Sequence, residues 1–190
     1  MRKILVSESL TLDGVFESPD KSKNDTFEHA GWSEPYVDEE QMKYMSEGMS
    51  GGDALLLGRI TYHRLEAGWS HQTGPAADFM NNVKKYVVSK TMKKAEWNNS
   101  TLITGNIVEE ITKLKKLPGK DIAVIGSGKL VQTLMENDLI DEFALLIFPI
   151  VLGTGKRFFA GENTAPLKLK ETKPFSSGVV FMSYEPEKKA

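Results

Sequence analysis

The sequence has no cysteine and only three histidines in 190 residues. Without cysteine the chain forms no disulfide and offers no thiolate to a metal ion. The histidines, His29, His63 and His71, show none of the paired spacings with which histidine side chains bind zinc. We therefore expect neither a structural nor a catalytic metal site.

Long apolar runs and a strong excess of charge of one sign are also absent. No apolar run is long enough to span a bilayer, and the first residues, MRKILVSESL, lack the long apolar core and cleavage site of a signal peptide. The formal net charge of −2 at pH 7 argues against a broad nucleic-acid-binding surface. We expect a cytoplasmic protein that binds a small molecule, and neither nucleic acid nor a membrane.

The remaining composition is that of an ordinary globular protein, and the length fits one domain over residues 1–190. Apolar strand patterns alternate with helical patterns, whereas the last strands follow one another without helices. This order predicts an α/β fold with three layers, in which helices cover a mostly parallel sheet that has an antiparallel C-terminal edge. The predicted strands are residues 3–9, 53–57, 86–88, 102–104, 122–125, 142–147, 167–172 and 179–184, and the predicted helices are residues 36–49, 61–66, 76–83, 108–117 and 129–136.

The stretch at residues 121–136, DIAVIGSGKLVQTLME, predicts a strand, a glycine turn and a helix that begins near Lys129. The first N–H groups of a helix have no partner within the helix, and glycine lets an anion approach the backbone closely. A phosphate site and a tight turn without a ligand both fit this pattern. The two best-known phosphate motifs do not fit, because Val131 replaces the third glycine of the dinucleotide fingerprint and Leu130 follows the lysine.

A second strand, glycine and helix start lies at residues 53–61, where Gly58 and Arg59 follow DALLL. Here Arg59 either contacts a phosphate or pairs with a local carboxylate. The polar segment 18–34 predicts a long loop, and its aromatic residues Phe27 and Trp32 indicate that it packs onto the domain. The connection at residues 149–161, PIVLGTGKRFFAG, fits a surface loop and a ligand-binding loop equally well.

Taken together, these patterns resemble the dihydrofolate-reductase-like fold with its mixed sheet. They most resemble the branch that contains the C-terminal reductase domain of the bifunctional riboflavin-biosynthesis enzyme. The motifs run in the family's order over nearly the whole chain. They are TLDG at residues 11–14, LLLGRITY at 55–62, VVSK at 87–90, VIGSGKLVQTL at 124–134 and LIDEFALLIFPIVLGTG at 139–155.

The resemblance implies a reduced nicotinamide cofactor, NADPH. In the family, the strand–Gly-x-Gly–helix turn holds the pyrophosphate, and the Gly-Arg-x-Thr segment holds its other side and the 2′-phosphate end. The serine after the third strand helps to hold the adenosine phosphate, and the first strand brings its backbone near the nicotinamide. The corresponding residues here are Gly126, Ser127, Gly128, Lys129 and Leu130 for the turn, then Gly58, Arg59 and Thr61, then Ser89 and Lys90, and finally Val6 and Ser7.

For the substrate end, the resemblance implies two candidate catalytic carboxylates. Folate reductases use an acid on the first helix, and Asp38 is the nearest candidate, although it also fits a plain acidic residue at a helix start. The riboflavin branch uses the aspartate of its SLDG turn, which corresponds to Asp13. The implied substrate is a small heterocycle, similar either to dihydrofolate and other pteridines or to the riboflavin intermediate 5-amino-6-ribosylaminouracil.

Two alternatives to a reductase remain open from the sequence. The chain can be a non-catalytic protein that binds a nucleotide or another phosphorylated ligand, with Phe27, Trp32 or Tyr36 filling the nicotinamide end. It can also act chiefly as a homodimer that pairs through its C-terminal strands, where we expect the apolar segment EFALLIF to be an edge that needs covering.

Overall fold

The computed structural model describes residues 1–22, 25–49, 51–160 and 164–187. This description leaves out residues 23–24 of the predicted long loop and residue 161 of the predicted glycine-rich connection. It also leaves out residues 162–163, and residues 188–190 at the end of the predicted domain. None of the helices described has the length and apolarity that a bilayer crossing requires.

The eight strands that the structure describes form one sheet in the order β4-β3-β2-β5-β1-β6-β8-β7. The six strands from β4 to β6 in this order are parallel, β8 pairs antiparallel with β6, and β7 pairs antiparallel with β8. The predicted parallel sheet with an antiparallel C-terminal edge is confirmed. The strands are β1 (Ile4–Thr11), β2 (Gly52–Gly58), β3 (Lys84–Val88), β4 (Ser100–Ile103), β5 (Asp121–Ile125), β6 (Glu142–Phe148), β7 (Leu167–Pro174) and β8 (Val180–Pro186).

Helices cover both faces of the sheet and make the predicted three layers. On one face, two apolar clusters hold α2 and α3 over β2 and β3, and α1 over β6 and β8. On the other face, a third cluster holds α4 and α5 against the central strands. The helices are α1 (Glu39–Met49), α2 (Arg59–Trp69), α3 (Pro75–Asn82), α4 (Ile107–Lys116) and α5 (Gly128–Glu136).

Two expectations from the sequence are wrong. The segment EFALLIF is not an edge, because it forms β6, which lies between β1 and β8. At this end of the sheet the edge strand is β7, whose sequence LKLKETKP is mostly exposed and half charged. The predicted helix over residues 36–49 is shorter, since Glu34–Tyr36 form a 3-10 turn and α1 begins only at Glu39.

Candidate functional site

The starts of α2 and α5 lie side by side at the carboxyl edge of the parallel strands. The Ser127 hydroxyl accepts a hydrogen bond from the backbone N–H of Gly58 at 3.0 Å, and it lies 3.0 Å from the Thr61 hydroxyl. Gly58 is the residue before α2, and Ser127 is the residue before α5. The two segments that the sequence predicted as phosphate sites are therefore brought into one place.

Neither of these two helix starts has a side-chain cap. Gly58 has no side chain to offer, and the Ser127 hydroxyl is turned towards Gly58 and Thr61 instead of its own helix. By contrast, Asp38 accepts from the Gln41 N–H at the start of α1, and Asn106 accepts from the Val108 N–H at the start of α4. The first N–H groups of α2 and α5 thus remain available to an anion, with the helix dipoles adding positive potential.

The close packing between the two turns requires small residues. Gly126 has φ +60°, and a Cβ atom there would lie 2.8 Å from the Thr61 hydroxyl, while a Cβ atom on Gly58 would overlap the Ser127 hydroxyl. Ser127 itself adopts φ +64°, a left-handed conformation that is unfavourable for a residue with a side chain. The sequence GSG therefore supplies both the backbone conformation and the space that this junction needs.

Three basic residues follow the carboxyl ends of β2, β3 and β5. Arg59 begins α2, Lys129 lies in the first turn of α5, and Lys90 follows β3, the strand next to β2. All three side chains are exposed, and none of them forms an ion pair with a described residue. The alternative that Arg59 pairs with a local carboxylate is thus not what the described residues show.

Three predicted contact residues have buried side chains. Val6 and Leu130 lie in the core between the sheet, α4 and α5, so that only their backbone atoms remain for a ligand. The hydroxyl of Ser89 is buried and accepts from the backbone N–H groups of Thr91 and Met92 at 3.2 and 3.0 Å. Ser89 therefore shapes the loop that follows β3.

The middle of the sheet is left partly uncovered between the cluster that holds α2 and the cluster that holds α1, and we call this place the cleft. Ser7 and Ser9 of β1 are both partly exposed, although β1 lies between β5 and β6 near the centre of the sheet. Ile125 packs against the α2 cluster and Ala144 against the α1 cluster, and these residues pair with Ser7 from either side. A central strand keeps exposed side chains only where neither helix covers it.

The opposite face of β1 carries a buried acid that sequence reasoning missed. Glu8 is only 9% exposed and follows Ile4 and Val6 on the face that packs against α4 and α5. Burial raises the pKa of the Glu8 carboxyl to about 8, and the nearby charge of Asp20 adds to this shift. The sequence held a signal, since a glutamate at an inward position of an alternating apolar strand breaks the pattern.

Asp13 of the TLDG turn is fully engaged in local contacts. Its Oδ1 accepts from the Thr11 hydroxyl at 2.7 Å and from the Leu152 N–H at 3.2 Å, and its Oδ2 accepts from the Gly153 N–H at 3.0 Å. The Arg157 guanidinium also pairs with it. The Thr11 hydrogen bond, assisted by the backbone N–H groups, lowers the pKa of Asp13 to about 2. Asp13 thereby clamps the TLDG turn to the glycine-rich connection.

Asp38 lies at the start of α1, beside the turn between β7 and β8. Its carboxylate accepts from the Gln41 N–H at 2.8 Å and from the Ser176 hydroxyl at 3.3 Å, and the Gln41 hydrogen bond holds its pKa below the usual range. That turn joins the last two strands at the edge of the sheet, and β6 lies between them and β1. The catalytic roles of Asp13 and Asp38 stay predictions.

The predicted loop aromatic residues pack onto the sheet on the α1 side. Trp32 stacks edge-on against Phe148, with ring centroids 5.2 Å apart, and donates its indole N–H to the Glu17 carbonyl at 2.8 Å. Tyr36 contacts the same Phe148 ring at 6.1 Å. Since Phe148 pairs with Thr11 at the end of β1, these rings line one end of the cleft and leave Ser7 and Ser9 partly exposed.

The arrangement can bind an extended anionic ligand at its strand ends and an uncharged ring in the neighbouring cleft. Its exposed cations, uncapped helix starts and glycine turns suit a diphosphate, and its partly apolar cleft suits a flat heterocycle. No group of three or more acidic or histidine side chains suited to a metal ion occurs in the part of the chain described.

Comparison with known proteins agrees with this geometry. The profile of the RibD C-terminal domain family matches residues 2–181. The chain is similar to the uncharacterized protein YyaP of Bacillus subtilis (strain 168), with 44% identity over 106 residues. That match covers 55% of this chain and 56% of YyaP, so the similarity spans about half the length of that relative.

Two solved structures share the fold. One is a putative riboflavin biosynthesis protein from Shewanella sp. PV-4, with a TM-score of 0.70, 21% identity, and coverage of 98% of this chain and 99% of that one. The other is the dihydrofolate reductase of Enterococcus faecalis, solved with NADP(H), with a TM-score of 0.60, 18% identity, and coverage of 98% and 97%. At these identities the similarity shows the dihydrofolate-reductase-like fold alone.

Proposed function

Because this chain belongs to the RibD C-terminal domain family, we propose that it is an NADPH-dependent reductase of a small heterocycle. The substrate class is pteridine-like or pyrimidine-like, as in dihydrofolate or the ribosylaminouracil of riboflavin synthesis. The observation that carries this proposal is the junction of two uncapped helix starts, linked by Ser127 and Gly58, together with the three cations at these strand ends that are free of ion pairs with described residues.

The residues of this junction fit a dinucleotide. The backbone N–H groups of Gly128 and Lys129 would hold the pyrophosphate, with Gly126 allowing close approach. Arg59 and Lys90 would hold the 2′-phosphate, because a guanidinium and an ammonium at adjacent strand ends suit a dianion. The alternating strand places Ser7 and Ser9 in the open cleft, where the nicotinamide and the substrate ring would meet.

When bound, the reduced nicotinamide supplies the hydride, and the chain supplies orientation and exclusion of water. The two serines offer hydroxyl and backbone groups that fix a ring in the cleft, and the apolar residues Ile125 and Ala144 flank it. We also propose Asp13 and Asp38 as catalytic residues, and this proposal rests on the family resemblance alone. Both carboxylates are ionised and accept hydrogen bonds from residues around them.

The direct test is oxidation of NADPH by the purified full chain with dihydrofolate, an oxidised pterin or the ribosylaminouracil intermediate. We expect turnover with one of these substrates, a product that has gained two hydrogens, and no oxidation without substrate. A chain that binds NADPH but oxidises it with none of the three would favour the alternative of a non-catalytic nucleotide-binding protein.

We also propose a cytoplasmic homodimer that pairs through the C-terminal strands. The edge strand β7 leaves one side of the sheet without a neighbouring strand in the described chain, and its lysines would restrict pairing to a specific partner surface. Light scattering on the purified chain tests this, with twice the mass of 21.2 kDa expected and the mass of a monomer contradicting it.

A further inference from the structure

The buried carboxyl of Glu8 has no role in the account so far. Its Oε1 accepts from the backbone N–H of Ser9 at 3.3 Å, whereas its Oε2 is buried without a hydrogen-bond partner among the described residues. A buried polar atom without a partner is rare in folded proteins and calls for an explanation. Here it occupies a position where the same strand otherwise places Ile4, Val6 and Leu10 in the core.

The register of the sheet places this carboxyl at the GSGK turn. Ser7 is the last residue of β1 to pair with β5, and its partner there is Ile125. Glu8 therefore lies beside Gly126, whose backbone N–H lowers the pKa of the Glu8 carboxyl against the larger effect of burial. The buried carboxyl thus lies beside the turn that leads into the uncapped start of α5, which we assign to the pyrophosphate.

An ionised carboxylate at this place would repel an anionic ligand, whereas a protonated carboxyl would offer it a hydrogen-bond donor. Burial is the main reason why Glu8 keeps its proton at neutral pH, with a pKa of about 8, and Asp20 in the following loop acts in the same direction. On the neighbouring strand Glu8 pairs with Leu145 of β6, and the exposed cation Lys129 lies in the first turn of α5. The site is thus built around a neutral acid.

We propose that Glu8, in its protonated form, donates a hydrogen bond to the dinucleotide at the GSGK turn, so that the cofactor binds together with one proton on Glu8. This inference rests on the proposed function, because it takes the turn to be the dinucleotide site. It makes Glu8 a binding residue and explains why a glutamate stands among core residues.

The test is calorimetric titration of NADPH into the full chain and into Glu8→Gln, without substrate. Glutamine keeps a neutral hydrogen-bond donor and has no proton to lose, so we expect its affinity to stay within about threefold from pH 7 to about pH 9.5. In the wild type, each pH unit above about 8 should weaken NADPH about tenfold, because one proton must then be taken up on binding. Glu110→Gln on α4, paired with Lys113 at the surface, is the matched control and should behave as the wild type.

A second readout counts the proton directly. At about pH 9, titrations in two buffers of different ionisation enthalpy should show uptake of close to one proton per NADPH in the wild type and none in Glu8→Gln. NADPH binding with the same pH dependence in both proteins, or without proton uptake in the wild type, overturns this inference and leaves the reductase proposal standing. Failure of the wild type to bind NADPH at pH 7 overturns both.

Discussion

The Ser127 hydroxyl accepts a hydrogen bond from the backbone N–H of Gly58 at 3.0 Å, across two segments that are 69 residues apart in sequence. This contact aligns the start of α2 with the start of α5, so that the free N–H groups and positive dipole ends of both helices act on the same place. A single hydroxyl group thus couples the two halves of the proposed anion site.

Replacing Ser127 by alanine tests this coupling. The change removes the acceptor for Gly58 and the contact with Thr61, and we expect an unfolding free energy lower by about 1 kcal/mol and an NADPH affinity about tenfold weaker. Ser46→Ala is the matched control, because its hydroxyl donates to the Lys43 carbonyl within α1. Unchanged NADPH affinity in Ser127→Ala would show that the two helix starts act independently.

Arg59→Ala should separate the two nicotinamide cofactors. If Arg59 contacts the 2′-phosphate, its loss weakens NADPH about tenfold or more and changes NADH by less than about threefold. Lys129→Ala should weaken both cofactors, because the pyrophosphate is common to them. Calorimetry with both cofactors measures this, and Lys168→Ala on the exposed edge strand is the control. Equal losses for NADPH and NADH in Arg59→Ala would contradict the 2′-phosphate assignment.

Asp13 should make the protein acid-labile over a defined range. The pKa of Asp13 is about 2 in the folded chain, below the ordinary value of 3.8 that applies to the unfolded chain. The unfolded chain therefore binds a proton at Asp13 more tightly than the folded chain does. The stability from the clamp is therefore complete above about pH 4 and is lost as the pH falls towards about 2. Denaturant unfolding across this range should show a smaller pH dependence for Asp13→Asn, and identical curves for the two proteins would refute the clamp.

Substitutions of Asp38 distinguish its two possible roles, capping of α1 and catalysis. Asparagine caps a helix as well as aspartate does, so we expect Asp38→Asn to keep its unfolding midpoint, whereas Asp38→Ala lowers it. The proposed catalytic role predicts in addition that Asp38→Asn loses turnover. Both are measured by denaturant unfolding and by NADPH oxidation. A stable Asp38→Asn protein with less than about a tenth of the wild-type turnover would support the catalytic role, and unchanged turnover would leave Asp38 as a helix cap alone.

Much of the fold could be predicted because its signals are local. Apolar runs that end in glycine and lead into amphipathic helices marked β2 with α2 and β5 with α5, and the change to strands without helices marked the antiparallel edge. The order of the strands is not local. No sequence pattern predicts that β5 lies between β1 and β2, or that β8 lies between β6 and β7. For this reason the segment EFALLIF was wrongly expected to be an edge strand.

Polar residues inside the protein were the main source of missed features. The prediction began β3 at Tyr86, whereas the strand begins at Lys84 and includes Lys85. Lys85 is buried, donates to the carbonyls of Val83 and Asn98 at 2.8 and 3.0 Å, and lies 4.2 Å from the ring centre of Trp97. Glu8 was missed as well, although a glutamate at an inward position of the alternating strand β1 was a signal in the sequence.

The measurement that tests the central claim most directly is binding of NADPH and NADH to the wild-type chain, by calorimetry at neutral pH and without substrate. The account predicts a dissociation constant for NADPH on the order of micromolar and clearly weaker binding of NADH, because Arg59 and Lys90 lie at the proposed 2′-phosphate end. Failure to bind either cofactor would contradict the dinucleotide site itself.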